Sequence, residues 1–366
     1  MQEIKRSCRK LITDEGLFNV ADTIDRLVNV DIPARGSIGV LFEAARAQSG
    51  EGKKPLCLAA VELLQKAVRP GDYVFITTGW AEQPANIPDR SETDGPAGAA
   101  ALARAIRLTL GGLPVILTDD YLVEGMRPVM TAAGFHVTAP ERLPNSLSTE
   151  LGFACCPTLA VLGLPVDVEQ DRLLEAELLD RYRPACCISI ERGGMNRHGR
   201  IHGMGGCDFS LSQAKMDFLF TGAAERGIAT LGIGDGGNEI GMANIEAAVR
   251  EKVRYGDRCK CPCQAGIVPD YAKVDVLVTA TISNWGGYGV ASLLALAEGK
   301  LDAMCSEELE ARVLDSYLQA EFHDSISACV APSADGCEAA VQLAVITLIR
   351  KSIFMGLSHF PAPDRE

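Results

Sequence analysis

The run Ile228-Ala229-Thr230-Leu231-Gly232-Ile233-Gly234-Asp235-Gly236-Gly237-Asn238-Glu239-Ile240-Gly241 passes from apolar to glycine-rich to acidic within a few residues. Residues 228–233 are short, rich in β-favouring side chains and bounded by Gly227 and Gly234, which reads as a strand. The run shows no alternation of apolar and polar positions. A strand of that kind is buried on both faces, as in a parallel sheet covered by helices. A helix is expected after the glycines, reaching about Arg254.

Outward from this run the same alternation recurs. Residues 185–190 read as a strand ending at Glu191, flanked by helices over 173–182 and 210–226. Further back, 56–67 reads as a helix, Pro70-Gly71-Asp72 as a turn and 73–78 as a strand ending at Gly79. A helix over 96–110 begins with Pro96, where a missing N–H costs nothing, and stops at Gly111-Gly112. Residues 114–118 and 136–139 read as strands, and 124–133 as a helix closed by Gly134. Toward the C-terminus, 274–281 is a strand. A helix follows Asn284-Trp285-Gly286-Gly287 and runs to Glu298, and 306–355 is mainly helical. This alternation implies an α/β fold with a mostly parallel sheet and helices on both faces. Right-handed crossovers bring the strand C-termini to one edge, and ligands of such sheets bind in the loops there. The chain, 1–366, is read as a single large α/β domain, with two lobes divided near 140–170 as the alternative.

With 366 residues, 47% of them hydrophobic, the chain can bury a large core. Its formal net charge of −13 disfavours nucleic acid and anionic membranes, which need clustered positive charge. The cysteines number 13, an odd count, and include the adjacent pairs Cys155-Cys156 and Cys186-Cys187 in strand-like runs. That fits reduced thiols and a cytoplasmic protein better than a disulfide framework. Met1 to Lys10 is charged, with no apolar core behind it, so no signal peptide is expected. The apolar run 339–349 stops at Arg350-Lys351, short of the roughly 20 residues a bilayer requires, and reads as a buried helix. Neither G-x-x-x-x-G-K-[ST] nor G-x-S-x-G occurs.

The loops after the strands carry acids: Glu92 and Asp94, Asp119 and Asp120, Glu191, then Asp235 and Glu239. One such aspartate is ordinarily a helix cap, and Asp94 before Gly95-Pro96 suits that role. Several acids on one edge repel each other unless a cation or amine sits among them. A hard divalent ion, Mg, Mn or Ca, suits such an oxygen-rich cluster. The residues Gly232 to Gly237 also fit G-x-G-x-x-G, but Asp235 within the loop and Glu239 in the expected first helical turn would repel a pyrophosphate, so no nucleotide is expected. Cys259-Lys260-Cys261-Pro262-Cys263 is the densest cysteine cluster. Three sulfurs fall one ligand short of a structural zinc site unless Cys207 or a distant cysteine completes it, and the cluster is read as a loop without function. His198 and His202 lie among glycines, so their spacing is not a helical ligand pair, and His202 reads as a solvated loop residue or an acid/base contact.

Five segments occur in order: Glu92-Thr93-Asp94-Gly95-Pro96, Ser189-Ile190-Glu191-Arg192-Gly193, Asn196 with Gly199-Arg200, the 234–242 loop, and Ser283-Asn284-Trp285-Gly286. Together they resemble the D-glutamate cyclase-like family, over about 27–356, with 234–242 the most specific piece. The cysteine cluster carries no part of the resemblance. What the resemblance implies is a lyase-type enzyme that cyclises D-glutamate to 5-oxo-D-proline with loss of water. A small-molecule substrate is then the expected partner, and a homo-oligomer is compatible. The expected catalytic residues are Glu191, Asp235 and Glu239, and the expected metal ligands are Glu92, Asp94, Glu191, Asp235 and Glu239. The expected substrate contacts are Thr93, Gly95, Arg192, Asn196, Arg200, Gly236, Gly237, Asn238, Asn284, Trp285 and Gly286. Arg192 and Arg200 are the nearest cations in sequence, and an Arg fork holds carboxylate bidentately. Two other readings stay open: a metal-dependent hydrolase or lyase acting on a related lactam or hydroxy acid, and a small-ligand or metal-binding protein without turnover.

Overall fold

The computed structural model describes residues 10–50, 54–148 and 155–363, so the reading of residues 1–10 falls almost wholly outside the described residues. Three helices come first: α1 (Asp14–Val28), α2 (Ile38–Gln48) and α3 (Leu56–Ala67). Then follow β1 (Tyr73–Thr77), α4 (Pro96–Ala105), β2 (Leu113–Asp119), α5 (Val123–Ala132), β3 (His136–Val137), β4 (Thr158–Leu164) and α6 (Val168–Tyr182). The second half holds β5 (Cys186–Ile190), α7 (Asp217–Glu225), β6 (Ala229–Gly234), α8 (Glu246–Lys252), β7 (Val276–Thr279) and α9 (Ser283–Ala297). The chain closes with α10 (Glu307–Ala320), a short hairpin of β8 (Ser333–Ala334) and β9 (Cys337–Glu338), and α11 (Ala339–His359).

Seven strands form one sheet in the order β3-β4-β2-β1-β5-β6-β7, and every pairing is parallel. The strands expected to end near Gly79, Thr118, Ile190, Ile233 and Thr281 are all in it, with their C-termini on one edge. β2 and β5 are wholly buried, as continuous apolar strands must be when both faces are covered. The chain moves outward from β1 to β2 and returns to the other side of β1 with β5. This change of direction opens a crevice between the loops that follow β1 and β5. On one face α4 and α9 cross closely, with Gly98 against Gly287. A Cβ built on Gly287 would sit 2.7 Å from the Gly98 backbone, so only glycine fits at this contact.

Four readings need correction. The helix expected over 210–226 begins only at Asp217. Distant carboxylates capture the preceding backbone: the N–H of Ala214 donates to Asp119 at 2.6 Å and that of Lys215 to Asp171 at 2.5 Å. Past the glycine loop comes a 3-10 turn, Met242–Ile245, and then the short α8, so Glu239 lies in the loop and not in a helical turn. The residues Asn284-Trp285-Gly286-Gly287 are not a loop but the first turn of α9. The apolar run near the C-terminus continues through Arg350-Lys351 to His359. By length and composition α11 is the one helix among the described residues that could cross a bilayer. It packs against α1, α9 and α10, burying Val345, Ile346, Ile349 and Ile353 on one face, while Leu348, Phe354 and Met355 on the other are exposed. The helices α1 and α2, the strand β4 and the β8–β9 hairpin are additions to the sequence reading.

A buried ion pair fastens the C-terminal edge of the central strands. Arg192, just past β5, is wholly inaccessible and forks onto Asp119 at the end of β2, with one branch at 2.9 Å. Its guanidinium also donates to the carbonyl of Gly79, just past β1, at 2.6 Å and to that of Ala214 at 3.0 Å. Replacing Arg192 by Met leaves Asp119 charged and unpaired in the interior. We expect a loss of about 3–5 kcal/mol in urea unfolding, much of it recovered in the double variant Arg192→Met/Asp119→Leu.

Candidate active site

At that edge lies a cavity of about 240 Å³, a size suited to a small polar molecule. The loop after β1 contributes Trp80, Glu82 and Glu92, and the loop after β5 contributes Glu191 and the 203–205 segment. The loop after β6 contributes Asp235, Gly236 and Asn238. Two further walls come from far away in sequence: Arg35 and Ser37 ahead of α2, and Ser325, Ile326 and Asp335 between α10 and β9.

The glycine loop is shaped by Glu239. Its carboxylate accepts the backbone N–H groups of Asp235, Gly236 and Gly237 at 3.1, 2.6 and 2.8 Å. Gly237 sits at φ +110°, a conformation that side-chain-bearing residues rarely adopt, and so turns its N–H into this nest. These are the donors that would cradle a pyrophosphate in a G-x-G-x-x-G site, and here an internal carboxylate fills the cradle.

Glu191 directly follows β5 and sits at φ +46°, an uncommon state for a residue with a side chain. The Ser283 hydroxyl donates to its carboxylate at 2.5 Å. Asp94 reaches across to cap α9, accepting the N–H groups of Ser283 and Asn284 at 2.8 Å each. It is therefore a cap as the sequence suggests, but of α9 and not of the helix that follows it. Asn284 completes the clasp: its oxygen accepts from Gly95 and Gly98, and its amide donates to the carbonyl of Thr93.

The cavity is acidic and opens to solvent past Met204 and Ile326, with one cation on its wall among the described residues. Arg35 donates to Asp235 at 2.6 Å and to Asp335 at 2.5 Å. Burial pushes Asp235 up to about 6, with Arg35 pulling the other way, and pushes Asp335 up to about 7, with the neighbouring Asp235 adding to the rise. Glu92 and Glu191 are held well above the usual carboxylate range, by burial first and then by the surrounding acids. Ligand oxygens of Glu191, Asp235 and Glu239 lie within 4.8 Å of one another, as do those of Asp94, Asp235 and Asp335. Such an all-oxygen donor set fits a hard divalent cation.

The structure redistributes the residues expected from sequence. Glu92, Glu191, Asp235, Gly236 and Asn238 line the cavity. Glu239, Asp94, Gly237 and Asn284 build its walls through the bonds just described. Thr93 and Gly95 belong to the same clasp, and the Tyr317 hydroxyl donates to the carbonyl of Thr93 at 2.7 Å. Arg192 is not a substrate clamp, because its fork is engaged with Asp119 beneath the sheet edge. Arg200 is half exposed, 3.6 Å from Asp208, and is not on the cavity wall. Asn196 is buried and holds the carbonyl of Gly266 at 2.9 Å. Trp285 donates to Gln342 at 2.6 Å from within the core, and Gly286 packs on Ile233. Arg35, Glu82 and Asp335 are additions. Asp335 had a sequence signal: Asp335-Gly336 both take positive φ, as the two-residue Asp-Gly hairpin turn requires. Nothing near Arg35 in the sequence marks it.

A parallel α/β fold with an acid-lined cavity at its topological switch point places the chain among small-ligand sites of that architecture. More particularly, a profile of the family described as "D-glutamate cyclase-like, C-terminal" matches residues 38–350, and the chain belongs to that family. It is also similar to the human protein "D-glutamate cyclase, mitochondrial", with 30% identity over 222 residues, or 60% of this chain. The match spans 32% of the human protein, so the chain corresponds to about a third of its length.

Asp235 and Asp335 hold their protons more tightly when folded than when unfolded. Between the ordinary value of 3.8 and their folded values of about 6 and about 7, the folded chain binds more protons, so their contribution to stability falls as pH rises through that window. Thermal denaturation across it should show a steeper decline for the parent than for Asp335→Asn. Added Mg or Mn should raise the melting temperature most at the alkaline end.

Proposed function

We propose that this chain cyclises D-glutamate to 5-oxo-D-proline with release of water. The observation that carries the reading is the meeting of Glu191, Asp235 and Arg35 in one acid-lined cavity, in a chain belonging to the D-glutamate cyclase-like family. The reaction joins the α-amine to the γ-carboxyl carbon, so it needs a neutral amine, a polarised carboxyl group and a proton for the departing hydroxyl. Nucleophile and electrophile are parts of one molecule, and holding it folded supplies much of the rate.

The two acids divide these tasks. Asp235, at about 6 and beside Arg35, is ionised near neutrality and takes the ammonium proton. Glu191, held well above the usual range, keeps its proton until it gives it to the departing oxygen. That oxygen leaves as water with the proton that Asp235 returns, and Glu191 then takes the second proton from the nitrogen of the tetrahedral adduct. Arg35, still a quarter exposed, faces a substrate carboxylate and offsets the acidic wall. N–H groups of the 235–237 loop stay fixed on Glu239 and keep Asp235 in place. Asp94 and Asp335, whose oxygens lie within 4.8 Å of those of Asp235, are the residues that would hold a divalent cation, which would supply Lewis acidity at the carboxyl oxygen.

The test is incubation of metal-loaded and chelator-treated protein with D- and L-glutamate while both 5-oxoproline enantiomers are followed. The expected result is 5-oxo-D-proline from D-glutamate above the uncatalysed background. Asp235→Asn should lower kcat/KM by at least about a hundredfold while leaving the fold intact by circular dichroism. Saturable D-glutamate binding without product would support the binding-protein reading instead. Neither binding nor turnover would end the proposal.

A further inference from the structure

We propose that His202, Cys259, Cys261 and Cys263 form a structural zinc site that pins the loop after β5 to the segment between α8 and β7. The four residues come from two places in the sequence and converge on one point. Their ligand atoms, one imidazole nitrogen and three sulfurs, all lie within 4.8 Å of one another. The sulfurs stand 3.6 Å (Cys259 to Cys261), 3.3 Å (Cys259 to Cys263) and 3.1 Å (Cys261 to Cys263) apart. His202 Nε2 lies 3.2 Å from the Cys261 sulfur and 3.8 Å from that of Cys263. Zinc bonds of about 2.3 Å to sulfur and about 2.0 Å to nitrogen give tetrahedral edges of roughly 3.5–3.8 Å, so a slight expansion of this cluster accommodates the ion.

The fourth ligand missing from the sequence reading is thus His202 and not Cys207, which is exposed. The three cysteines are free thiols, with no disulfide to account for their convergence. His202 and Cys259 are buried, and Cys261 and Cys263 are half-buried. Four protein ligands leave no open position, which is the arrangement of a structural rather than a catalytic zinc. The donor set is soft and separate from the oxygen cluster of the cavity, so it selects a different metal. Around it, the Asn196 amide donates to the Cys263 sulfur at 3.5 Å while holding the carbonyl of Gly266, and so braces a ligand from behind.

The site has a consequence for the cavity. Gly203, Met204 and Gly205, which line it, follow His202 directly. The carbonyl of Gly206 accepts the N–H of Lys260, and the carbonyl of His202 accepts the amide of Asn238. Zinc would lock this wall to the cysteine turn without touching the acids.

The chain should be purified without added metal and assayed for zinc by mass spectrometry. The EDTA-stripped protein should then be titrated with Co²⁺ under reducing conditions. The expected results are one equivalent of zinc and the visible and near-ultraviolet bands of tetrahedral, thiolate-bound cobalt, which carboxylate ligands do not give. Cys261→Ser and His202→Ala should lose these bands, and Asn196→Ala should weaken cobalt affinity by about 10–100-fold. The Asp235→Asn variant should keep the full signal. Should a ligand variant fail to fold, the cobalt titration of the stripped parent decides alone. Absence of thiolate–cobalt bands, with the three thiols freely titratable by a thiol reagent in the native protein, would overturn the site. None of these readouts depends on turnover of glutamate.

Discussion

Arg192 has no access to water, and its charge is tolerable only because Asp119 and two backbone carbonyls surround it. The pair ties together the ends of β2, β1 and β5, three neighbouring strands whose C-terminal loops would otherwise diverge. Asp119 in turn holds the N–H of Ala214 at 2.6 Å, which returns the long loop after β5 to the sheet edge. A buried pair of this kind adds little net stability over an apolar replacement, but it fixes which groups meet. The cavity stands on this edge, and the placement of Glu191, the residue before Arg192, follows from it.

Several other carboxylates act in the same manner. Asp94 caps α9 from across the crevice, Glu239 gathers three N–H groups of its own loop, and Asp25 accepts the N–H groups of Leu56 and Cys57 at the start of α3. Each satisfies orphan donors that a helix end or a glycine turn leaves exposed in the interior. Removing these from the set of acids leaves Glu82, Glu92, Glu191, Asp235 and Asp335 facing the cavity with Arg35. Burial first, and then their crowding, raises their proton affinities, and a cation or a substrate ammonium would relieve the crowding.

The parallel sheet was legible because its strands are continuous apolar runs between helices, a pattern that depends on burial on both faces and is written locally. The position of the cavity was legible for the same reason, since loops at strand C-termini follow from crossover handedness. Boundaries were less so. The 210–226 segment has helical character, yet Asp119 and Asp171 claim its first backbone donors, and that competition is invisible without the tertiary fold. The role of Arg192 was misjudged for a related reason: adjacency to Glu191 in sequence says nothing about which side of the sheet edge a long side chain takes.

What the sequence by itself determined is the layering, the strand edge that bears the acid-lined cavity, and the acids Glu92, Glu191 and Asp235 that face it. All of these rest on local periodicity and on residues carried by the strand ends. Only the tertiary structure decided which charges meet. Arg35 lies 200 positions from Asp235 and 300 from Asp335, yet bonds both, and His202 reaches a cysteine turn 59 positions away. Such pairings are set by how loops from separate crossovers pack over one edge, and no local periodicity encodes that distance.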